Sequence, residues 1–291
     1  ANFVKEQLRE IDKKAGCIIC EPESKNTTAS ILVGVIDLLD KGIEHDPVLV
    51  VPSDQYFQHT HYINSVFKKS AKDVDSHDIT IFGVTPNKPT SSYGYIRTSN
   101  KSTHEAGLIE EFIEKPNVKK AKELYESKTC LWNSGIFLFT PLNIFKLYET
   151  LSPEVVESVT SSYKKAYVED GIIHLDRLSW SECKEIAFDY EILERADDVF
   201  VVPLDTKWSD LGTWDSIWST FQTDSNLIDD NSFSYKSSGL LLRNYLNTKL
   251  IGIGLKDTVV VQTDKVTMVI DRALTSNIDK IVSSMPKDVI N

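Results

Sequence analysis

The sequence predicts an α/β fold with a small β-rich tail, and three observations carry the prediction. Continuous apolar runs such as "DPVLVVPSD" (46–54), "DITIFGV" (78–84) and "DVFVVPLD" (198–205) end in turn residues, as strands buried on both faces do. Segments with apolar residues at helical spacing separate these runs, the alternation that builds a doubly wound sheet. Beyond residue 223 the helical pattern gives way to short strand-like runs.

Each element follows in order. Residues 2–13 read as a helix, with Val4, Leu8 and Ile11 on one side, and "CIICE" (17–21) as a short buried strand. A second helix runs from Thr27 to Lys41, with Asn26 or Thr27 as its cap. The 46–54 run is a strand, Thr60 to Val74 a helix, and 78–84 the next strand. "SSYGYIRTS" (91–99) and "GLIEEFIEKP" (107–116) read as a strand pair, "VKKAKELYES" (118–127) as a charged helix and "LWNSGIFLFT" (131–140) as a strand. "PLNIFKLYETLSP" (141–153) is a helix, residues 154–197 are expected to be mainly helical, and 198–205 returns as a strand. "TDSNLIDDNS" (223–232) is polar and turn-rich, a linker, which divides the chain into domains of residues 1–222 and 223–291. "GLLLRNYLNTKLIGIG" and "DTVVVQTDKVTMVI" supply the short strands of the second, and "SNIDKIVSSM" closes it as a helix.

A hydrophobic share of 41% and a charged share of 26% suit an ordered globular protein. The net charge of −11 argues against a nucleic-acid partner, which would need a basic face. No apolar run approaches the roughly 18–20 residues of a membrane span, so no membrane association is expected. The first residues are amphipathic and charged and read as no secretion signal, so the cytoplasm is the expected compartment and the acceptor triplets Asn26-Thr-Thr and Asn100-Lys-Ser are accidental matches. Cys17-Ile-Ile-Cys20 has no second C-x-x-C to pair with, so Cys17, Cys20, Cys130 and Cys183 are expected to be reduced packing thiols. His59 and His61 open a polar helix and read as a surface pair.

In an open α/β sheet, ligands bind at the carboxyl ends of strands. Asp54 lies just past one strand, Asp210 a few residues past another, Glu114 and Lys115 at a strand exit, and Asn133 near a strand start beside Gly135. Two aspartates from separate strand ends make a hard-oxygen site of the kind Mg²⁺ takes with substrate phosphates. Each aspartate alone is equally at home capping a helix or a turn, and a separation of 156 positions says nothing about proximity. Glu114 can accept from sugar hydroxyls and Lys115 can meet a phosphate, or the two form a solvated pair before Pro116. Trp208 and Trp214 bracket Asp210 either as a packed corner or as the rim of a site that needs one carboxylate.

Seven stretches occur in this order: "EPESKNT" (21–27), "VPSD" (51–54), "YGYI" (93–96), "FIEKP" (112–116), "LWNSGIFLF" (131–139), "DYEILE" (189–194) and "VVPLDTKWSDLGTW" (201–214). Together they resemble the mannose-1-phosphate guanylyltransferases, most closely the bacterial type often fused to a phosphomannose isomerase, and "KLIGIGLKDTVVVQTDKVTMVIDR" (249–272) resembles that family's β-rich tail. The resemblance implies a Rossmann-like nucleotidyltransferase sheet with flanking helices plus a small C-terminal β-helix-like domain. It implies attack of mannose 1-phosphate on the α-phosphorus of GTP, giving GDP-mannose and pyrophosphate. By the same resemblance Asp54 and Asp210 would hold Mg²⁺, Glu114 and Asn133 would bond mannose hydroxyls, and Lys115 would meet the sugar phosphate. Gly94 and Tyr95 would line the sugar pocket, and Asn26 and Thr27 lie in the stretch placed near the nucleotide. Asp54, Lys115 and Asp210 are thus the candidate catalytic residues, with Trp208 and Trp214 as packing that aims Asp210. A homodimer is left open as the assembly.

The chain departs from the family in several places. The family's first strand and glycine-rich phosphate loop have no counterpart in these residues. Gln55 stands where histidine is usual, Lys25 where arginine is usual, and Thr28-Ala29 replace a typical Ala-Pro. Two readings follow: a guanylyltransferase whose loop lies upstream, or a non-catalytic sugar-nucleotide-binding or regulatory paralogue lacking the phosphate loop.

Overall fold

The computed structural model describes residues 2–98 and 106–286, so the Asn100 triplet lies outside the described residues. The chain forms two compact units, one of Ala1–Pro52 with His59–Thr206 and the other of Ser53–Gln58 with Lys207–Asn291. The second unit takes in Ser53–Gln58 and resumes at Lys207, ahead of the 222/223 boundary read from the sequence.

The first unit is built on a six-stranded mixed sheet. Its strands run, edge to edge, Val48–Val50, Cys130–Phe139, Ile79–Val84, Val199–Leu204, Gly107–Ile113 and Tyr95–Thr98. Ile79–Val84 is buried at every position, the burial its unbroken apolar run implies. It pairs in parallel with Val199–Leu204, from Val199↔Ile79 to Leu204↔Val84. The other ladders are antiparallel. Cys130–Phe139 is long enough to serve three neighbours: its second half meets Val48–Val50 and Thr80–Ile81, and its first half meets Gly83–Val84 and Tyr95–Arg97. A register shift between Ile81 and Gly83 leaves Asn133 opposite Gly83.

Helix Asn26–Asp40 packs Ala29, Leu32, Val33 and Ile36 into the core against Ile144 and Tyr148 of Pro141–Leu151 and Val155 and Val159 of Pro153–Lys164. Tyr148 is fully buried, and its hydroxyl donates to the Thr28 carbonyl at 2.9 Å, so the packing carries no orphaned phenol.

The segment 154–197 corrects the expectation of mainly helical structure. Helices Pro153–Lys164, Arg177–Ser181 and Phe188–Glu191 are present, but a hairpin of Tyr167–Glu169 and Ile172–His174 interrupts them. Asp170 (φ 51°) and Gly171 (φ 71°) both take the left-handed region, the two-residue turn for which an Asp-Gly pair is suited. The second hairpin strand pairs in parallel with Ile19–Cys20.

In the second unit, Ser232–Tyr235 pairs in parallel with Leu250–Ile253, and Leu241–Asn244 with Val259–Gln262. Both ladders step 18 residues, from Ser232 to Leu250 and from Leu241 to Val259, so the chain coils as a β-helix turn. Side chains alternate across this wall: Leu240, Leu242 and Val260 face one apolar cluster, while Leu241, Val259 and Val261 face another that includes Trp214, Ile217 and Trp218. Gly239 has φ +66°, and a methyl there would overlap Asp257 Oδ1, so the turn into this wall needs glycine. All four cysteines are free, Cys130 and Cys183 buried and Cys17 and Cys20 partly so.

Candidate functional site

One cavity of about 440 Å³ in the first unit is lined by Asn26, Thr27, Glu114, Lys115, Asp189 and Tyr190, among others. The sequence singled out the first four. Asn26 and Thr27 begin the helix Asn26–Asp40, and Glu114 and Lys115 follow the strand Gly107–Ile113, so the sheet and the core helix bring two distant motifs to one rim. Asn26 (φ 64°) and Lys115 (φ 42°) both hold left-handed backbone without being glycine. Strained backbone of this kind persists where the surroundings over-determine it, and it clusters at ligand sites.

Glu114 is a largely enclosed polar group of the cavity wall. Its side chain is 9% exposed, and Oε1 lies 3.4 Å from Lys115 Nζ. Oε2 is buried and has no hydrogen-bond partner. It sits against Gly94, where a methyl would overlap it, so the glycine of "YGYI" makes room for the carboxylate. Burial pushes the Glu114 carboxyl above the ordinary glutamate value; nearby Asp189 adds to the rise and Lys115 opposes it.

Asn133 is clamped at both ends. The Gly135 N–H donates to Asn133 Oδ1 at 2.9 Å, which fixes the amide orientation, and Asn133 Nδ2 donates to Asp189 Oδ1 at 2.6 Å. The Asn133 N–H also donates to the Gly94 carbonyl at 2.9 Å, joining the "WNSG" and "YGYI" stretches. Burial raises the Asp189 carboxyl above the usual aspartate range, against the lowering effect of the Asn133 bond. Burial likewise raises the Tyr190 phenol, and Glu114 adds to it.

Asp189 sits in the short helix Phe188–Glu191, which two buried side chains pin. Phe188 is fully buried against Phe137 and Tyr148. Glu191 is bound by the Ser152 hydroxyl and paired with Lys184 at 2.9 Å and Arg195 at 3.2 Å. Thr27 Oγ1 accepts from the Phe188 N–H at 2.9 Å, tying this helix to the start of Asn26–Asp40. Tyr95 stands apart from the cavity lining: it is 1% exposed, and its hydroxyl bonds the backbone of Thr90.

Asp54 and Asp210 both belong to the second unit. Tyr56–Phe57 and Trp208–Ser209 pair antiparallel, with Trp208↔Phe57 and Ser209↔Tyr56, so the ladder carries Asp54 and Asp210 out from one end of the same two-strand pair. Trp208 Nε1 donates to Gln55 Oε1 at 3.1 Å, closing that end. Asp210 Oδ1 accepts from the Gly212 N–H at 3.2 Å, and a side chain on Gly212 would crowd the same carboxylate. Trp214 packs in the apolar cluster of the β-helix wall. Among the described residues, no group of three or more His, Cys, Asp or Glu gathers as a protein-only metal cage. A pair of carboxylates completed by phosphate oxygens still fits Mg²⁺, which keeps most of its shell outside the protein. His59 and His61 are exposed.

Asp189 and Tyr190 were not among the residues picked from the sequence, although they open the "DYEILE" stretch. Their signal was a polar pair next to an aromatic, which any amphipathic helix contains.

A sequence model of the nucleotidyl transferase family matches residues 1–226. The mannose-1-phosphate guanylyltransferase of Escherichia coli is 29% identical over 301 residues, covering 98% of this chain and 61% of that protein. That of Salmonella montevideo is 28% identical over 292 residues, covering 97% and 61%. The chain therefore spans about three fifths of the length of these curated relatives. Among solved structures, a mannose-1-phosphate geranyltransferase from Thermus thermophilus superposes with a TM-score of 0.78 at 23% identity, covering 90% of this chain and 76% of that one. That likeness shows a shared fold of the sheet and the β-rich tail. No helix among the described residues is long and apolar enough to cross a membrane.

Proposed function

The chain belongs to the nucleotidyl transferase family, and from that premise we propose that it acts in the synthesis of GDP-mannose from GTP and mannose 1-phosphate. The observation that carries this reading is the single cavity that gathers Asn26, Thr27, Glu114 and Lys115. Its chemistry suits a phosphorylated sugar: carboxylate acceptors for hydroxyl donors, and one ammonium for a phosphate. The guanylyltransferase relatives support the choice of sugar and base.

In the reaction, a phosphate oxygen of mannose 1-phosphate forms a bond to the α-phosphorus of GTP. The bond from that phosphorus to the bridging β-phosphate oxygen breaks, and pyrophosphate leaves with the electron pair. Mg²⁺, when bound, neutralises charge on the phosphates. Asp54 and Asp210 are the residues proposed to hold it. Lys115 meets the sugar phosphate with its ammonium, held beside Glu114 at the cavity wall. Glu114 and the remaining N–H of Asn133 bond sugar hydroxyls, Gly94 gives Glu114 its place, and Asn26 and Thr27 edge the pocket toward the nucleotide. We place the reaction in the cytoplasm.

The test is pyrophosphate release with GTP, mannose 1-phosphate and Mg²⁺. Release that needs all three is expected. No release, or equal release with UTP and glucose 1-phosphate, overturns the reading.

A further inference from the structure

We propose that Asp189 is a second sugar-binding carboxylate, so that the hexose hydroxyls are read by a Glu114–Asp189 pair with Asn133 holding the second acid in place. The inference rests on the function proposed above and adds to it a specificity-determining residue.

Three observations carry it. Asp189 lines the same cavity as Glu114 and Lys115. Its one side-chain hydrogen bond among the described residues is from Asn133 Nδ2, and it forms no ion pair within 4.0 Å. Its own backbone N–H is the second donor, and a carboxylate in a cavity wall with two donors is under-satisfied, since it has room for about four. Glu114 Oε2 is the matching orphan across the wall. Buried acceptors without donors are where a ligand rich in O–H groups gains most.

The amide geometry points the same way. Asn133 has used one lone pair of its oxygen on Gly135 and one N–H on Asp189, which leaves one N–H and one lone pair for a sugar. Several hydroxyl protons need more acceptors than that, and the carboxylates supply them. Asp189 is also aimed by a rigid element, because Phe188 and Glu191 on either side of it are both anchored in the core. Phe188 and Glu191 face inward, and Asp189 and Tyr190 are left to face the cavity.

The experiment is calorimetric titration of wild type, Asp189→Asn and Asp189→Ser with mannose 1-phosphate and with its 2-, 3- and 4-deoxy analogues. Thermal unfolding confirms that each variant is folded. Asp189→Asn is expected to weaken mannose 1-phosphate binding roughly tenfold or more. One deoxy analogue is expected to bind wild type about as weakly as the parent binds the variant, and to bind both proteins alike. A structural role for Asp189 would instead lower affinity for every analogue by one factor, which overturns the inference. Wild-type binding of mannose 1-phosphate with no loss in either variant overturns it too, and leaves the proposed function standing. No binding of mannose 1-phosphate by wild type removes the proposed function, and the inference falls with it.

Discussion

Asn133 Nδ2 and Asp189 Oδ1 lie 2.6 Å apart, and the Gly135 N–H locks the other end of the same amide. The contact joins a strand of the sheet to a four-residue helix 56 positions later. Removing the amide should free Asp189 and take away one donor at once. Asn133→Ala is therefore expected to weaken mannose 1-phosphate binding by about 1–3 kcal/mol and to leave GTP binding unchanged. Separate titrations with each substrate check this. An equal loss for both would count against a place at the sugar.

The raised Glu114 carboxyl gives a pH signature. A carboxyl that binds its proton more tightly folded than unfolded lowers stability as pH climbs from the ordinary glutamate value through the raised folded one. Glu114→Gln has no such group. It should raise the unfolding midpoint at neutral pH, with the gain vanishing below the ordinary glutamate range. Its sugar affinity should fall at every pH where wild type is charged. Unfolding curves across the pH range decide the matter: a gain that persists in acid would mean the charge is not the cause.

Gly94 is a second route to the same carboxylate. A methyl there overlaps Glu114 Oε2, the mobile end of a side chain that is itself boxed in. Gly94→Ala is expected to displace Glu114 and cost roughly tenfold in sugar affinity, about 1.4 kcal/mol, with a small loss of stability. In the double variant Gly94→Ala/Glu114→Ala the stability should recover and the affinity should not. Recovery of both would show that the glycine acts on something other than Glu114.

Glu191 anchors the helix that presents Asp189. Burial raises its carboxyl, but the Ser152 hydroxyl, Lys184 and Arg195 together hold it below the usual value. Its contribution is therefore full above the unfolded glutamate value and fades as pH falls through the depressed one. Glu191→Ala should cost about 2–4 kcal/mol at neutral pH, measured by urea unfolding, and less in acid. A cost independent of pH would assign it to packing alone.

Much of the fold could be read from the sequence because the strands are apolar and continuous. Ile79–Val84 and Val199–Leu204 announce themselves, since burial on both faces leaves no room for polar residues. The hairpin around Asp170-Gly171 was missed, although Asp-Gly is a strong turn signal, because the flanking strands are three residues each and sit between helices. Glu114, Lys115 and Asn133 were legible as strand-end polar residues. Asp189 was not, because its meaning comes from Asn133, and no local pattern records a partner that far away. Asp54 and Asp210 were legible one by one as strand-end residues, but not their proximity, because the strand pair they share exists only once Phe57 meets Trp208.

That strand pair supplies the last prediction. Asp210 is held by the Gly212 N–H, and Trp208 reaches across to Gln55, so the backbone bearing both aspartates is fixed by contacts that do not involve a metal. Asp210→Asn keeps an acceptor for Gly212 and removes only the charge. It should leave thermal unfolding in the absence of metal close to that of wild type. Binding of Mn²⁺ in the presence of GTP, followed by electron paramagnetic resonance, should weaken at least tenfold. Mg²⁺-dependent pyrophosphate release should fall roughly a hundredfold or more. Asp54→Asn should weaken Mn²⁺ binding in the same way, and the double variant should lose little beyond either single one, since two ligands of one ion do not act independently. Additive losses would mean the two carboxylates serve different ligands, and unchanged Mn²⁺ binding in both would remove the metal from this end of the chain.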